Sequence, residues 1–378
     1  MDKDLSMFRP ARSREPKVST GALSALEKAI AHGSGLSASL SSKVVSGETT
    51  KEKAPEGFFF LTEMTDGRLP RSGKNHLFPR YPDDHWAEEF RGDIPEVDPY
   101  YCWDADVAEA LYVALKRNEK ALLHGLPGTG KTTAVHQLAA WVRQPYAKFG
   151  GKATIEPSAF LGQAWATHEI VMEGGVEKVV PTMVFKEGLL PPAVRNGYMT
   201  TIDEFCKLSP DVQMACQSLY EKGGHLMLDD KPGTIAEKKV HPAPEFRLFV
   251  TDNTLGLGDN MHMFAASQVQ DTSTLDRFTI TVPVNYMGIF DEVEMLSRRY
   301  PKLERSILNK IVRFAGLVRH SYKVSDLPVT LSPRGLCTIC EILDEGLSLE
   351  TATALAYTNK LSEDAHIQLV QEQLRTVE

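Results

Sequence analysis

Two hydrophobic patterns run along the chain and predict its secondary structure. Short apolar runs predict buried strands at Ala121 to Leu123, Tyr146 to Phe149, Tyr198 to Asp203, Glu245 to Asn253 and Phe278 to Val284. Helical apolar stripes predict helices at Asp104 to Arg117, Thr132 to Val142, Ile289 to Arg299, Leu303 to His320, Ser332 to Leu343, Leu349 to Thr358 and from Ser362 onward. Strands and helices therefore mix up to residue 285, and the remainder is helical.

The stretch from Glu169 to Val180 alternates between apolar and polar residues on either side of Gly174 and Gly175. Such alternation is typical of strands, and a Gly-Gly pair suits the tight turn between two of them. The stretch therefore predicts a β-hairpin. An insertion at this point of the chain would be well placed to contact a substrate.

A glycine-rich run, Gly125-Leu-Pro-Gly-Thr-Gly-Lys-Thr132, joins the strand at Ala121 to the helix at Thr132. Its glycines let successive N–H groups turn around phosphate oxygens, and the helix adds the positive end of its dipole. Lys131 can reach the β- and γ-phosphates, and the Thr132 hydroxyl can bind Mg²⁺. A simple turn is the alternative, but the strand and helix on either side favour nucleotide binding. The predicted phosphate-binding residues are Gly125, Pro127, Gly128, Thr129, Gly130, Lys131, Thr132 and Thr133.

Polar residues end two later strands. Asp203 and Glu204 follow an apolar run, and Asn253 follows the next one. Asp203 suits the coordination shell of Mg²⁺, and Glu204 can polarise an attacking water molecule. The Asn253 amide can orient that water, although an isolated asparagine more often begins a turn.

Two arginines each have two interpretations. Arg277 precedes the strand at Phe278, where it can pair with Asp276 or another acid, or reach the nucleotide of a neighbouring subunit. Arg334 begins a helix after Ser332 and Pro333, where it can lie on the surface or point toward the γ-phosphate. These residues alone leave both pairs of alternatives open.

Composition and charge narrow the class of protein. Of 378 residues, 42% are hydrophobic and 24% are charged, as in ordinary globular proteins. The net charge of −8 gives no global attraction to nucleic acid or anionic membranes, and we find neither a signal peptide nor an apolar run that could span a bilayer. Five cysteines favour a reducing compartment, and Cys337 and Cys340 in a predicted helix suit core packing better than zinc. We expect a cytoplasmic protein.

The chain divides into four parts by composition. Residues 1–56 are rich in Ser, Lys, Arg, Glu and Gly and predict a flexible tail with one short helix at Ala22 to Ala31. Residues 57–93 are aromatic and proline-rich and predict a small ordered region of unclear fold. The α/β core is expected at 94–285 and the helical region at 286–378.

The order of these motifs resembles that of AAA+ ATPases, in particular the MoxR and chelatase branch. Several longer stretches are similar to CobS-type ATPase subunits of cobaltochelatases. They are Ile94 to Tyr100, Phe185 to Pro191, Pro242 to Phe249, Asn253 to Asp259 and Leu331 to Arg334. The resemblance covers roughly Ile94 to the C-terminus.

This resemblance implies an AAA+ fold, in which a parallel sheet flanked by helices carries a β-hairpin insert and is followed by an α-helical lid. It implies ATP and Mg²⁺ as ligands, with Thr132 and Asp203 at the metal. It also implies a hexameric ring with ATP between subunits. The implied catalytic residues are Glu204 (with Asp203, Walker B), Asn253 (sensor 1), Arg277 (arginine finger) and Arg334 (sensor 2).

Two functions fit these expectations. In the first, ATP hydrolysis in a ring remodels a von Willebrand-type CobT-like partner and a large chelatase subunit, so that cobalt enters a corrin ring. In the second, a MoxR-type remodelling chaperone, which could be phage-encoded, acts on a client unrelated to cobalamin. Met261-His262-Met263 is the only cluster of soft donors and suits a loop better than a metal site, so we expect any cobalt site to lie on a partner.

Overall fold

A computed structural model describes residues 53–173, 176–254 and 272–377. Its strands are β1 (Phe58–Phe60), β2 (Leu77–Pro79), β3 (Ala121–His124), β4 (Tyr146–Gly150), β5 (Gly162–Glu173), β6 (Val176–Glu187), β7 (Met199–Asp203), β8 (Leu226–Met227), β9 (Lys239–Val240), β10 (Arg247–Asp252) and β11 (Ile280–Pro283). The predicted short helix at Ala22 to Ala31, the Gly174-Gly175 turn and the Met261-His262-Met263 cluster lie outside the described residues.

The longer helices are α1 (Ala105–Arg117), α2 (Lys131–Val142), α3 (Ile289–Arg299), α4 (Arg305–Lys323), α5 (Pro333–Asp344), α6 (Leu349–Ala356) and α7 (Asp364–Val377). Short helical turns lie at Leu61–Met64, Glu88–Arg91, Pro157–Leu161, Leu190–Arg195, Phe205–Lys207, Pro210–Ala215, Gln217–Tyr220, Ile235–Lys238, Thr272–Asp276 and Thr358–Lys360. No helix in the described ranges is both long and apolar enough to cross a bilayer.

The five predicted strands form one parallel sheet in the order β11-β3-β10-β7-β4. In its register, His124 pairs with Asp252 and with Pro283, and Asp203 pairs with Gly150. All five strands therefore end at the same edge, so the polar residues that follow them gather there. This arrangement confirms the predicted α/β core with a parallel sheet.

Both faces of the sheet are buried, because successive side chains along each strand point to opposite faces and both sets are mostly apolar. Ala121 and Leu123 pack in one buried cluster with α1 and α2, whereas Leu122 packs in a second cluster that includes Phe205 and Tyr220. Continuous apolar runs such as β3 are expected where a parallel sheet is buried on both faces.

Residues 58–79 contribute to the first of these clusters. The β1–β2 hairpin brings Phe59 against Phe78, with ring centroids 5.1 Å apart, and both side chains are fully buried. The aromatic composition of this segment thus serves packing on the α/β core. The domain boundary at residue 94 stays a prediction.

Two antiparallel strands of twelve residues each, β5 and β6, form the predicted hairpin. Their pairing runs from Gly162 opposite Glu187 to Glu173 opposite Val176, which is longer than the predicted span from Glu169 to Val180. The hairpin is inserted in the core between β4 and β7.

Helices α3 to α7 enclose a third buried cluster and form the predicted helical region. Cys340 is fully buried in this cluster and Cys337 packs beside it on the same helix, α5. The helix at Ile289–Arg299 has the bounds predicted from its apolar stripe, whereas the next begins at Arg305 and ends at Lys323, later than predicted at both ends.

Candidate functional site

The glycine-rich loop lies between β3 and α2, at the carboxyl edge of the sheet. Gly128 and Gly130 have φ angles of 74° and 92°, in the left-handed region that glycine adopts without strain. A Cβ on Gly125 would lie only 2.1 Å from the Val284 carbonyl oxygen, so that position excludes any side chain. The backbone therefore has the compact turn that the sequence predicted.

Lys131 extends back over this loop. Its Nζ donates hydrogen bonds to the carbonyl oxygens of Gly125 (2.7 Å) and Leu126 (2.9 Å) and to Oδ1 of Asn253 (2.8 Å). Burial lowers the pKa of Lys131 to about 8, although Asp203 and other nearby acids oppose this shift. The lysine and Asn253, which are distant in sequence, thus meet as expected for strand ends at one edge.

Asp203 accepts hydrogen bonds from three sides. Thr132 Oγ1 and Thr251 Oγ1 donate to its Oδ1 at 2.7 and 2.5 Å, and Lys148 Nζ lies 2.7 Å from its Oδ2. Burial by itself would raise the pKa of Asp203, but these hydrogen bonds and the charge of Lys148 lower it overall. The side chain is therefore a carboxylate at neutral pH.

The donor set at Asp203 fits Mg²⁺. This ion takes oxygen ligands and is usually held by one or two protein groups together with substrate phosphates and water. The Thr132 hydroxyl in the first turn of α2 and the Asp203 carboxylate at the end of β7, 2.7 Å apart, are two such oxygens. The residues present thus suit a magnesium nucleotide.

Glu204 follows β7 in a left-handed conformation, with φ 55°. Its N–H donates to Thr251 Oγ1 at 3.1 Å, and its Oε1 lies 2.8 Å from Lys207 Nζ. The Glu204 side chain is 43% exposed, so water can reach the carboxylate. A non-glycine residue in this conformation is uncommon.

Asn253 directly follows β10, and Asp252 before it is buried. The Asn253 N–H donates to Oδ1 of Asp252 at 2.7 Å, which fixes the backbone at the end of the strand. Its side-chain oxygen is then free to accept from Lys131. The predicted strand-end amide therefore lies within the hydrogen-bond network of the glycine-rich loop.

The two arginines lie outside this group of contacts. Arg277 Nε lies 3.3 Å from Glu221 Oε1, and its Nη1 donates to the Ser273 carbonyl oxygen, so the ion-pair interpretation describes its contacts within this chain. Arg334 is exposed in the first turn of α5. Ser332, two residues earlier, lies against the loop: a Cβ on Gly128 would come within 2.3 Å of the Ser332 Cβ.

Several residues at the site were missed by the sequence analysis. Lys148 and Thr251 lie on strands that were predicted, and the shared strand edge was the signal that could have drawn attention to them. Tyr286 donates a hydrogen bond of 2.6 Å to the Pro127 carbonyl oxygen from 159 residues away, and no local pattern marks it.

Two family models match the chain. An AAA domain of the dynein-related subfamily matches residues 120–271, and a CbbQ/NirQ/NorQ C-terminal region matches residues 292–376. These ranges contain the glycine-rich loop and most of the helical region, respectively.

Three curated relatives are similar over about 70% of the chain. The aerobic cobaltochelatase subunit CobS of a Sinorhizobium species is 28% identical, over 71% of this chain and 79% of its own length. Protein NorQ of Paracoccus denitrificans is 24% identical, over 71% and 90%, and BssE of Thauera aromatica, named as a candidate chaperone, is 24% identical, over 69% and 83%.

Proposed function

The chain belongs to the AAA+ ATPases, with an AAA domain followed by a CbbQ/NirQ/NorQ C-terminal region, and from this premise we propose how its residues hydrolyse ATP and what that reaction drives. The observation that carries the proposal is the hydrogen-bonded group at one edge of the sheet. It joins Lys131 to Asn253 and Thr132 to Asp203.

In this proposal each residue of the group has one task. The loop N–H groups and Lys131 hold the β- and γ-phosphates, while Thr132 and Asp203 hold Mg²⁺, which neutralises phosphate charge when bound. Glu204 accepts a proton from the water that attacks the γ-phosphorus, and the bond to the bridging oxygen breaks to give ADP and phosphate. Asn253 orients that water, and its side-chain oxygen holds the Lys131 ammonium in place.

Arg277 acts in a neighbouring subunit of a hexameric ring, and Arg334 acts from the lid. Arg277 is held at its own chain's surface by Glu221, with 24% of its side chain exposed, which suits a contact made across an interface. A guanidinium there would stabilise the charge that grows on the γ-phosphate in the transition state.

The work of the ring, in this proposal, is to remodel a partner for cobalt insertion into a corrin. The similarity to CobS supports this role, with a von Willebrand-type CobT-like protein and a large chelatase subunit as partners and the cobalt site on a partner. The second candidate is a MoxR-type chaperone with a client unrelated to cobalamin. Comparable coverage by NorQ and BssE supports this alternative.

The catalytic proposal is tested with Glu204→Gln. The amide keeps the size of the side chain but cannot accept the proton, so we expect ATP binding to persist and turnover to fall by about 10² or more. Glu345→Gln, at an exposed position in the helical region, is the matched control and should hydrolyse ATP normally. Normal turnover by Glu204→Gln would show that another group activates the water.

The partner is tested with the same Glu204→Gln variant, because a ring that holds ATP without cleaving it should retain its client. The variant is purified by affinity from the cells in which the chain is native, and the bound proteins are identified by mass spectrometry. A von Willebrand-type protein together with a large chelatase subunit supports the first role. Repeated recovery of an unrelated client, absent from the Lys131→Ala control, overturns it in favour of the chaperone.

A further inference from the structure

The segments that flank α3 and α4 contact the phosphate-binding loop directly. Tyr286, between β11 and α3, donates its hydroxyl hydrogen to the Pro127 carbonyl oxygen at 2.6 Å. Thr330 Oγ1 lies 3.1 Å from the same phenol oxygen. Because a phenol has one hydrogen, Thr330 must then be the donor in that second bond. The tyrosine hydroxyl is therefore fixed in direction as well as in place.

This hydrogen bond bears on how the loop can bind phosphate. A peptide unit is planar and trans, so its carbonyl oxygen and its N–H point in opposite directions. When Tyr286 holds the Pro127 oxygen, it also sets the direction of the Gly128 N–H at the other end of the same unit. Gly128, with φ 74°, is a residue whose backbone rotates at little cost, so this unit would otherwise turn easily.

The Tyr286 ring is supported by a buried arginine. Arg319, on α4, places its guanidinium carbon 4.1 Å from the ring centroid. Its Nη1 and Nη2 donate to the two carboxylate oxygens of Glu292 at 2.7 and 2.8 Å, and both side chains are almost fully buried. Its Nε donates to the Leu331 carbonyl oxygen at 2.7 Å, one residue before Ser332. One guanidinium thus holds both segments that contact the loop.

A buried ion pair of this kind is weak evidence of stabilisation, because desolvation offsets much of the attraction between the charges. Its bidentate geometry does, however, fix the relative position of three chain segments. Burial raises the pKa of the Tyr286 phenol, so the hydroxyl keeps its hydrogen and remains a donor at neutral pH.

We propose that Tyr286 is a positioning residue of the ATP site. Supported by the Arg319–Glu292 pair, its hydroxyl holds the peptide between Pro127 and Gly128 in the orientation that presents the Gly128 N–H to a phosphate. The inference rests on the proposed nucleotide site, and it adds that phosphate binding and the placement of the helical lid depend on the same hydrogen bond.

The test compares two tyrosine-to-phenylalanine variants of the full chain. Tyr286→Phe keeps the ring over Arg319 and removes only the hydroxyl. Tyr357→Phe is the matched control, because the Tyr357 hydroxyl donates a bond of the same length, 2.6 Å, to the Val329 carbonyl oxygen inside the helical region. The measurements are the thermal midpoint of unfolding, the Kd of a fluorescent ADP analogue with Mg²⁺, and the kcat and KM of ATP hydrolysis.

We expect Tyr286→Phe to raise the Kd and KM about five-fold, the effect of one net hydrogen bond, with kcat at saturating ATP within about two-fold of wild type. Each variant loses one hydrogen bond, so both should lower the thermal midpoint of unfolding by a similar amount. Tyr357→Phe should nevertheless leave the Kd and KM unchanged. Unchanged nucleotide affinity in folded Tyr286→Phe, or equal weakening by both variants, overturns the proposal. Lack of nucleotide binding by the wild-type chain instead overturns the proposed function, and this inference with it.

A second variant tests the role of Arg319. Arg319→Lys keeps a positive charge beside Glu292 but loses the forked geometry and the stacking on Tyr286. If both residues act through the same peptide, the double variant should weaken nucleotide binding little more than Arg319→Lys alone. Fully additive effects on Kd would show that Arg319 does not act through Tyr286. If Arg319→Lys does not fold, the comparison of the two phenylalanine variants still decides the proposal.

Discussion

Gly128 and Gly130 are both in the left-handed region, but their surroundings differ. A Cβ on Gly130 would meet nothing within 4 Å, whereas a Cβ on Gly128 would come within 2.3 Å of the Ser332 Cβ. Gly128 is therefore constrained both by its backbone conformation and by its contact with Ser332. Gly130 is constrained only by its backbone conformation.

This difference predicts the stability of two alanine variants. Gly130→Ala should lower the free energy of unfolding by about 1–2 kcal/mol, the cost of a side chain in the left-handed region. Gly128→Ala should cost about 1–3 kcal/mol more, because its methyl group also overlaps Ser332. Urea unfolding without nucleotide measures both.

Ser332→Gly provides the control for the overlap. The serine makes no side-chain capping bond at the start of α5, and glycine is accepted at that position, so the single variant should be nearly neutral. In the Gly128→Ala background it should recover most of the extra loss. Equal stability of the two alanine variants would show that the lid does not constrain Gly128.

At this scale the sequence indicated that several polar residues would meet, whereas the roles assigned to Glu204, Arg277 and Arg334 stay predictions. Lys131, Thr132 and Asp203 come together as expected from a glycine-rich turn and a strand end. Lys148 and Thr251, which also contact Asp203, were missed because a lysine or threonine in a strand is unremarkable until its neighbour is known. Tyr286 was missed because its partner is a backbone carbonyl, which leaves no pattern in the side chains.

The β5–β6 hairpin is an element whose outer part does not pack on the core. Ile170, Met172, Val179 and Met183 are each more than half exposed. Its base is different: a Cβ on Gly162 would lie 2.4 Å from the Lys186 carbonyl oxygen, so the two strands are closely joined there. The alternation from Glu169 to Val180 predicted the outer part of the strands but not their full length. Toward the base the strands are partly buried, and Phe185 packs against the core cluster that contains Phe160.

Shortening the hairpin should therefore leave the core intact. Trp165 and Val184 are directly paired across the strands, and replacing residues 166–183 with Asn-Gly would close a two-residue turn on that pair. We expect the thermal midpoint to change by no more than about 4 °C, the shift that accompanies ~1 kcal/mol, and nucleotide affinity to stay the same. A shortened chain that is unfolded or cannot bind nucleotide would show that the outer hairpin supports the core.

Helix α5 carries two cysteines in different surroundings. Burial raises the pKa of Cys340 to about 12, whereas Cys337 is partly exposed. Because the thiolate is the reactive form, Cys340 should resist a disulfide reagent at pH 8, and Cys337 should react first. Mass spectrometry of the native protein identifies the labelled residue, and unfolding in urea should make both reactive. Equal rates in the native state would contradict the packing described here.

Over the whole molecule, the least predictable features were the contacts between distant segments. Amphipathic stripes placed the helices of the C-terminal region to within a few residues, because each stripe is a local property of the chain. They gave no indication that Ser332 would touch Gly128, or that Phe59 and Phe78 would join the core beside α1 and α2. Those contacts form only when complete helices and strands pack against one another, so no local pattern in the sequence marks them.

Assembly provides the prediction for Arg277. If this arginine completes a neighbour's site, Arg277→Ala should lower ATP turnover by about 10³ or more in a homogeneous ring. Mixing it with Lys131→Ala subunits, which keep Arg277 but bind nucleotide poorly, should restore part of the activity. Native mass spectrometry confirms that mixed rings have formed. Mixed rings that stay inactive would argue that Arg277 acts only within its own chain, through its contact with Glu221.

The most direct test of the account is a calorimetric titration of the purified chain with MgATP. Wild type should take up one nucleotide per site with saturation. Lys131→Ala, which removes the charge that reaches Gly125, Leu126 and Asn253, should bind at least about ten-fold more weakly while keeping its fold, since hydrogen bonds to a charged group contribute about 1.5–3 kcal/mol. Wild-type protein that is folded by circular dichroism and takes up no nucleotide would contradict the account.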